Sequence, residues 1–266
     1  MPIHYRQPRP ELRPFVAGIW WFEEEIEHAY ERILPSGKMQ LLVNLHEDEL
    51  RAYHGEGYRM IQRNRGAELG GAYASHFAID TAEQRCIVGV SFGPGGAYPF
   101  FTPPADATRE LHVELDALWG SDGAALRERL LEARTPEATL RTLESVLLEQ
   151  RVRPLERDPA VDFAIRAFDR GAGVGEVTDR LGMSAKSFIR RFAARVGLTP
   201  KKYARVVRFQ RVLDAVASGR PIDWAGVAID CGYFDQAHLI HDFREFSGMN
   251  PLAYKSRPGE KNHVPL

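Results

Sequence analysis

The residues of this sequence best suited to chemistry are cations set along a helical stretch. Lys186, Ser187, Arg190, Arg191 and Arg195 surround Phe188, Phe192 and Val196, whose i, i+4, i+8 spacing turns one apolar face inward. Lys201, Lys202 and Arg205 follow closely. Ammonium and guanidinium groups at that density recognise anions, and the arginine fork can pair two acceptors at once. That is chemistry of recognition, not of bond breaking. Other reactive types are present without the spacing that catalysis or metal binding needs. Cys86 and Cys231 are isolated, so they make neither a disulfide framework, nor a four-cysteine zinc site, nor a reactive cysteine cluster. Gly93-Pro94-Gly95-Gly96 lacks the Gly-x-x-x-x-Gly-Lys of a phosphate loop and reads as a turn.

The elements that would position the cations are marked by capping residues. Asp158-Pro159 opens a helix that runs to about Phe168. A short helix ends at Leu181, Gly182 suits a tight turn, and Ser184 caps the cationic helix. Short helix, glycine turn and basic second helix form a helix-turn-helix pattern. A second copy follows, with a short helix over 223–230, a Cys231-Gly232 turn, and a helix from Asp235 to Phe246 that turns Leu239, Phe243 and Phe246 inward. A long helix from Thr199-Pro200 to about Ala217 joins the two. At ~1.5 Å per residue it spans roughly 27 Å, near the ~34 Å between successive major grooves on one face of DNA.

Ahead of this lies a β-rich region. Phe15–Phe22, Met39–His46, Ala67–Tyr73 and Arg85–Gly93 are short apolar or alternating runs, punctuated at Pro35-Ser36-Gly37 and Gly55-Glu56-Gly57. In the last run Cys86, Val88, Val90 and Phe92 share one face. Leu111 to Trp119 begins a helical stretch. Over 122–152 the leucines recur at helical period, giving either a helical pair packed on the β-domain or a dimerisation element. The organisation expected is α+β and two-domain. Residues 1–152 form a β-rich sensing or oligomerisation domain, a barrel or sandwich with helices at 122–152. A linker covers 153–157, an all-α DNA-binding domain with two helix-turn-helix motifs covers 158–257, and a flexible tail covers 258–266. The N-terminal stretch lacks the apolar core of a signal peptide and no run is long enough to span a membrane, so a cytoplasmic protein is expected.

The 266 residues carry 35 Lys+Arg and 36 Asp+Glu, for a net charge of -1. That balance argues against a polyanionic partner only if it is even, and it is not. Residues 176–211 hold 10 Lys+Arg against 2 Asp+Glu, whereas 212–257 hold 4 against 6. Phosphate attraction depends on cations at the interface, so the first motif is expected to supply most of the affinity.

Gly182-Met183-Ser184, Phe188-x-Arg190-x-Phe192, Gly197-Leu198-Thr199-Pro200-x-x-Tyr203 and Arg208-Phe209 resemble the AraC/XylS family of bacterial transcription regulators. So do Ala228-x-x-Cys231-Gly232-Tyr233, Asp235-Gln236-Ala237-His238, Phe243-Arg244-x-Phe246-x-Gly248 and Asn250-Pro251-x-x-Tyr254. The resemblance implies a regulator that binds double-stranded DNA through both motifs and contacts RNA polymerase. It places Lys186, Ile189, Arg190, Gln236, Ile240 and His241 at base-reading positions. Arg190 suits guanine, Gln236 adenine, and Ile189 an apolar group such as a thymine methyl. Ser187, Arg191, Arg195, Lys201, Lys202 and Arg205 are placed at phosphates. Three positions depart from the pattern: Thr178 stands for a small Ala, Leu239 for the common Phe and His241 for the common Arg.

The segments Leu34-Pro35-Ser36-Gly37-x-x-Gln40-Leu41-Leu42-Val43 and Gly89-Val90-Ser91-Phe92-x-Pro94-Gly95-Gly96-Ala97-x-Pro99-Phe100 look like the β-rich sensor domain of uncharacterised family members. A cupin-like barrel would hold a small-molecule effector, with Trp20, Trp21, His46, Tyr53, Tyr73 and His76 as candidate lining. His28, His46, His54 and His76 lack the His-x-His ahead of a Glu that the cupin metal pattern requires, so no metal or other cofactor is expected. The competing readings are an enzyme on the β-domain with a DNA-binding module attached, and a scaffold that dimerises through 122–152.

Overall fold

The computed structural model describes residues 3–54, 57–217 and 222–266. The turn expected at Gly55-Glu56-Gly57 lies partly outside them.

Two antiparallel sheets and a layer of helices build the N-terminal part. Sheet A has six strands: β1 (Ile3–Arg6), β2 (Val16–Glu23), β4 (Gln40–Asn44), β7 (Ala67–Gly70), β9 (Cys86–Phe92) and β10 (His112–Glu114), in the order β1-β2-β9-β4-β7-β10. Sheet B has β3 (Tyr30–Ile33), β5 (Leu50–His54), β6 (Arg59–Asn64), β8 (Phe77–Asp80) and β11 (His263–Pro265), in the order β11-β3-β8-β5-β6.

The alternation along sheet A decides the layering, because successive side chains leave a strand on opposite faces. Ile19, Leu41, Val43, Leu69, Val88, Val90 and Phe92 are all fully buried in one apolar core. That core includes Leu126 and Leu130 of α2 (Ser121–Leu131) and Leu140, Leu143 and Leu147 of α3 (Pro136–Glu149). Most of the leucines expected over 122–152 are thus buried within the chain as a packed helical pair, while Leu131 stays exposed. On the other face Trp20, Gln40, Leu42, Glu68, Ile87, Ser91 and His112 meet sheet B across a cavity. Gly89 lies in the same row, and a Cβ there would come within 2.5 Å of the Trp20 ring.

Two expectations, the helix from Leu111 and the flexible tail, need correction. The helix expected from Leu111 begins later: His112–Glu114 pairs with Gly70 to Glu68 as a strand, and α1 occupies Leu115–Trp119. Linker 153–157 is irregular but pinned, since Arg153 donates to the carbonyls of Tyr98 and Thr102 and Arg157 to that of Pro94. Within the tail expected to be flexible, β11 pairs antiparallel with β3, matching His263 with Ile33 and Pro265 with Glu31. The tail had too little apolar periodicity to announce a strand; β3 supplies the unpaired edge that makes it one.

The C-terminal part comprises α4 (Pro159–Phe168), α5 (Val174–Leu181), α6 (Ala185–Val196), α7 (Pro200–Ala217), α8 (Trp224–Asp230) and α9 (Gln236–Ser247). It packs directly on the β-domain. The Gln210 amide donates to the Pro35 carbonyl at 2.8 Å, and Arg32 to that of Ser247 at 3.1 Å. Among the described residues no helix is long and apolar enough to cross a membrane.

Candidate nucleic-acid interface

The first motif is α5, a turn and α6. Gly182 adopts φ 60°, the left-handed conformation that lets α5 stop and the chain reverse within three residues. The Ser184 hydroxyl accepts from the Ser187 N–H and starts α6. Phe188 and Phe192 are fully buried, and Phe168 of α4 meets Phe192 edge to face at 5.7 Å. Thr178 fits despite its bulk over Ala, because its hydroxyl donates to the Gly175 carbonyl at 2.8 Å.

The second motif repeats the construction. Asp223 caps α8 and Asp235 caps α9. Leu239, Phe243 and Phe246 are buried against Phe209 of α7, whose ring lies 5.3 Å from each phenylalanine ring. Leu239 is fully enclosed, so the shorter side chain leaves the packing intact.

These anchors fix which side chains face outward. Lys186, Ile189 and Arg190 on α6 and Gln236 and His241 on α9 are exposed. Ile240 is half-buried, packed against the core, which restricts its reach. Phe234, just ahead of the α9 cap, is 88% exposed, an aromatic that sequence reading passed over.

The positions assigned to phosphates divide sharply. Arg191 and Arg195 both pair with Asp158, the N-cap of α4 (2.8 and 2.9 Å). Burial alone would raise the Asp158 carboxyl; hydrogen bonds from Arg191 and the Val161 N–H, with the charges of Arg195 and Arg191, hold it below the usual carboxylate range. Lys202 reaches Glu245 at 2.8 Å, and Arg205 reaches Asp242 at 2.7 Å and also Glu245. The Arg205 hydrogen bond, aided by Lys202, brings the Glu245 carboxyl down to about 2. The Ser187 side chain is half-buried, and Lys201 stays exposed.

Three further cations between 176 and 211 are also engaged. Arg180 pairs with Glu176, Arg208 lies 3.8 Å from Asp242 and donates to the Gly232 carbonyl, and Arg211 donates to that of Phe168. Among the described residues, Lys186, Arg190 and Lys201 are the cations of this stretch without a hydrogen-bond or ion-pair partner. The acids that meet five of the rest, Asp158, Asp242 and Glu245, were missed. Asp158 is legible only as a helix cap, and Asp242 and Glu245 only as helical polar residues.

The candidate effector lining fares differently. Of the six residues expected, Trp20 lines the cavity between the sheets. Trp21 turns to the other face of β2, edge-on to His4. His46 lies beside Glu47, Tyr53 against Tyr30, and Tyr73 behind Phe77 and His112. His76 points at the C-terminal part, where a Cβ on Gly248 would lie 2.5 Å from its ring. Aromatic identity marked these residues, but strand alternation decides which ring faces the cavity.

Residues 177–257 match a family model described as a helix-turn-helix domain, and residues 4–114 match one described as a domain of unknown function (DUF6597). No curated protein matches the chain. Among solved structures it is similar to ToxT from Vibrio cholerae, at 9% identity and a TM-score of 0.45, covering 94% of this chain and 96% of that one. It is also similar to the DNA-binding domain of AdpA, a global transcriptional factor solved with a target DNA, at 25% identity and a TM-score of 0.34, covering 37% of this chain and 90% of that one. By these family models the chain carries a helix-turn-helix domain in its C-terminal part, preceded by an N-terminal domain of unknown function.

Proposed function

We propose that this protein is a sequence-specific DNA-binding transcription regulator controlled by a small molecule held in the N-terminal domain. The observation that carries the first half is the distribution of unpaired charge. Seven of the ten cations between 176 and 211 meet acids or carbonyls of the chain itself. The three left over all fall on the helix-turn-helix side: Lys186 and Arg190 on α6, and Lys201 at the start of α7. Unpaired cations next to an exposed recognition helix suit DNA, whose backbone supplies the phosphates and whose major groove supplies guanine to Arg190. On this reading Lys186 and Arg190 contact bases and Lys201 a phosphate. Gln236 and His241 present a weaker second reading surface, because a neutral imidazole lacks the arginine fork. The control half is supported by the cavity enclosed between sheets A and B.

Genome-wide selection of DNA fragments bound by the full chain tests the proposal. The recovered motif should contain one strongly specified half-site and one weakly specified half-site about one helical turn away. Recovery of fragments without a shared motif would refute sequence-specific binding.

A further inference from the structure

The cavity between the sheets has a volume of about 210 Å³. An engineered void of ~150 Å³ already takes up benzene, so a slightly larger molecule fits. The walls are largely apolar, with Trp20, Phe22 and Leu42 on one side and Ile33, Phe77 and Ile79 on the other. Two lining residues nonetheless carry buried polar atoms without a hydrogen-bond partner. One is Arg257, at Nε and Nη1, with a side chain 12% exposed. The other is His112, at Nε2, with a side chain 6% exposed.

The surroundings of each group say what is missing. Glu31, the acid nearest Arg257, is already bonded to His28 at 2.9 Å and to His263 at 2.7 Å. Arg257 Nε stands 3.5 Å from Glu31, a charge contact without a hydrogen bond. The guanidinium lies over the Phe22 ring at 5.2 Å. Buried donors left unmade are costly, and a guanidinium fork matches a carboxylate. At the other end His112 Nδ1 meets Glu68 at 2.6 Å, and Glu68 also accepts from Asn64 at 2.8 Å. With the shared proton on Nδ1, Nε2 is an acceptor in need of a donor. The remaining acid of the lining, Glu260, is only half-buried and reaches solvent.

We propose that this cavity binds a small, largely apolar molecule bearing a carboxylate, which pairs with Arg257, and a hydroxyl or N–H donor at its far end, which reaches His112. The inference rests on reading the N-terminal domain as the sensor. It adds that the sensor is incomplete without the segment that follows α9, since Arg257 and His263 both come from it. That segment is tied to the second motif: the Tyr254 hydroxyl donates to the Lys261 carbonyl at 2.5 Å, and the Tyr254 ring sits 5.9 Å from Phe243 of α9. A carboxylate on Arg257 therefore holds the tail against β3 within reach of α9.

Equilibrium binding to the full chain tests this, with 4-hydroxyphenylacetate, phenylacetate, the matching alcohol 4-hydroxyphenethyl alcohol, and hydroxylated medium-chain aliphatic acids as probes. The hydroxylated acids should bind best. Loss of the carboxylate, or Arg257→Gln, should weaken binding roughly tenfold or more, as loss of a hydrogen bond to a charged group implies. Arg257→Lys should recover part of that loss, and His112→Phe should erase the preference for the hydroxylated acid. The bound acid should also slow trypsin cleavage after Lys255 and Lys261. The proposal is overturned if no acid of the series binds at millimolar concentration, if the alcohol binds as well as the acid, or if a folded Arg257→Gln protein binds the acid like the parent. Should Arg257→Gln fail to fold, the comparison of acid with alcohol on the parent chain decides. DNA selection by the same preparations separates the two claims: bound DNA without bound acid removes the ligand site and leaves the regulator.

Discussion

Arg191 closes a two-point fork on Asp158, with Nε to Oδ2 at 2.8 Å and Nη2 to Oδ1 at 2.9 Å, and Arg195 adds a third contact at 2.9 Å. Two cations of the recognition helix thereby stitch α6 to the N-terminus of α4. Asp158→Ala should lower stability by about 2 kcal/mol or more, through loss of the cap and of its charged partners. The same change frees both arginines for phosphates, so the salt slope of DNA binding should steepen by up to about two. Denaturation with salt-dependent binding measures both. Lower stability at an unchanged slope would show that Arg191 and Arg195 do not reach DNA even when free.

Arg190 and Lys201 should separate specificity from affinity. Arg190→Ala should cost about 1–3 kcal/mol at the selected site and relax the preference for one base pair. Lys201→Ala should weaken all sequences alike and reduce the salt slope by about one. Lys202→Ala, whose charge already meets Glu245, should alter the slope less than Lys201→Ala. Competition binding at several salt concentrations resolves the three variants; an equal change of slope for Lys201 and Lys202 would sink the distinction.

His241 stands exposed on α9, at a position proposed above to face bases. His241→Arg should tighten binding to sites with a guanine in the second half-site, by about 1–3 kcal/mol if a bidentate pair forms. Selection repeated with this variant should show a newly specified base. An unchanged motif would mean that α9 does not enter the groove.

His76 makes the contact between the domains sensitive to acid. Burial, then the charges of Arg32 and His54, push its imidazole down to about 4, and Nδ1 has no hydrogen-bond partner. The folded state therefore holds His76 neutral where the unfolded chain, at its ordinary 6.5, takes up a proton. The resulting stability is fully present above about pH 6.5 and declines as pH falls toward about 4. Denaturant midpoints of the parent and of His76→Gln should diverge over that window, and the difference between them cancels the other titrating groups. Gly248→Ala should act at the same contact at any pH, because φ there is 67° and a Cβ would strike the His76 ring. Parallel pH profiles for parent and His76→Gln would refute the assignment.

What the sequence determined by itself is the local architecture of the C-terminal part. Asp158, Ser184, Gly182 and the phenylalanine stripes set caps, turns and inward faces within a few residues of each other. Local rules therefore placed α4 to α9, and the family resemblance singled out the exposed Lys186, Arg190, Gln236 and His241. The central strands of sheet A were equally legible, because Val88, Val90 and Phe92 pack on helices and show strict alternation. Sheet B was not legible. Its strands, such as Tyr30–Ile33 and Arg59–Asn64, are short, polar and turned toward a cavity or solvent, so no apolar period marks them. Two further facts belong to the tertiary structure alone. The tail becomes a strand because β3 offers an edge, which carries Arg257 and His263 to Glu31 across more than two hundred residues. The ten cations of 176–211 reduce to three unpaired ones because Asp158, Asp242 and Glu245 fold against five of the others, Glu176 pairs with Arg180 and a carbonyl takes Arg211. Charge is written in the sequence, but which charges remain for a partner depends on the acids that folding brings near.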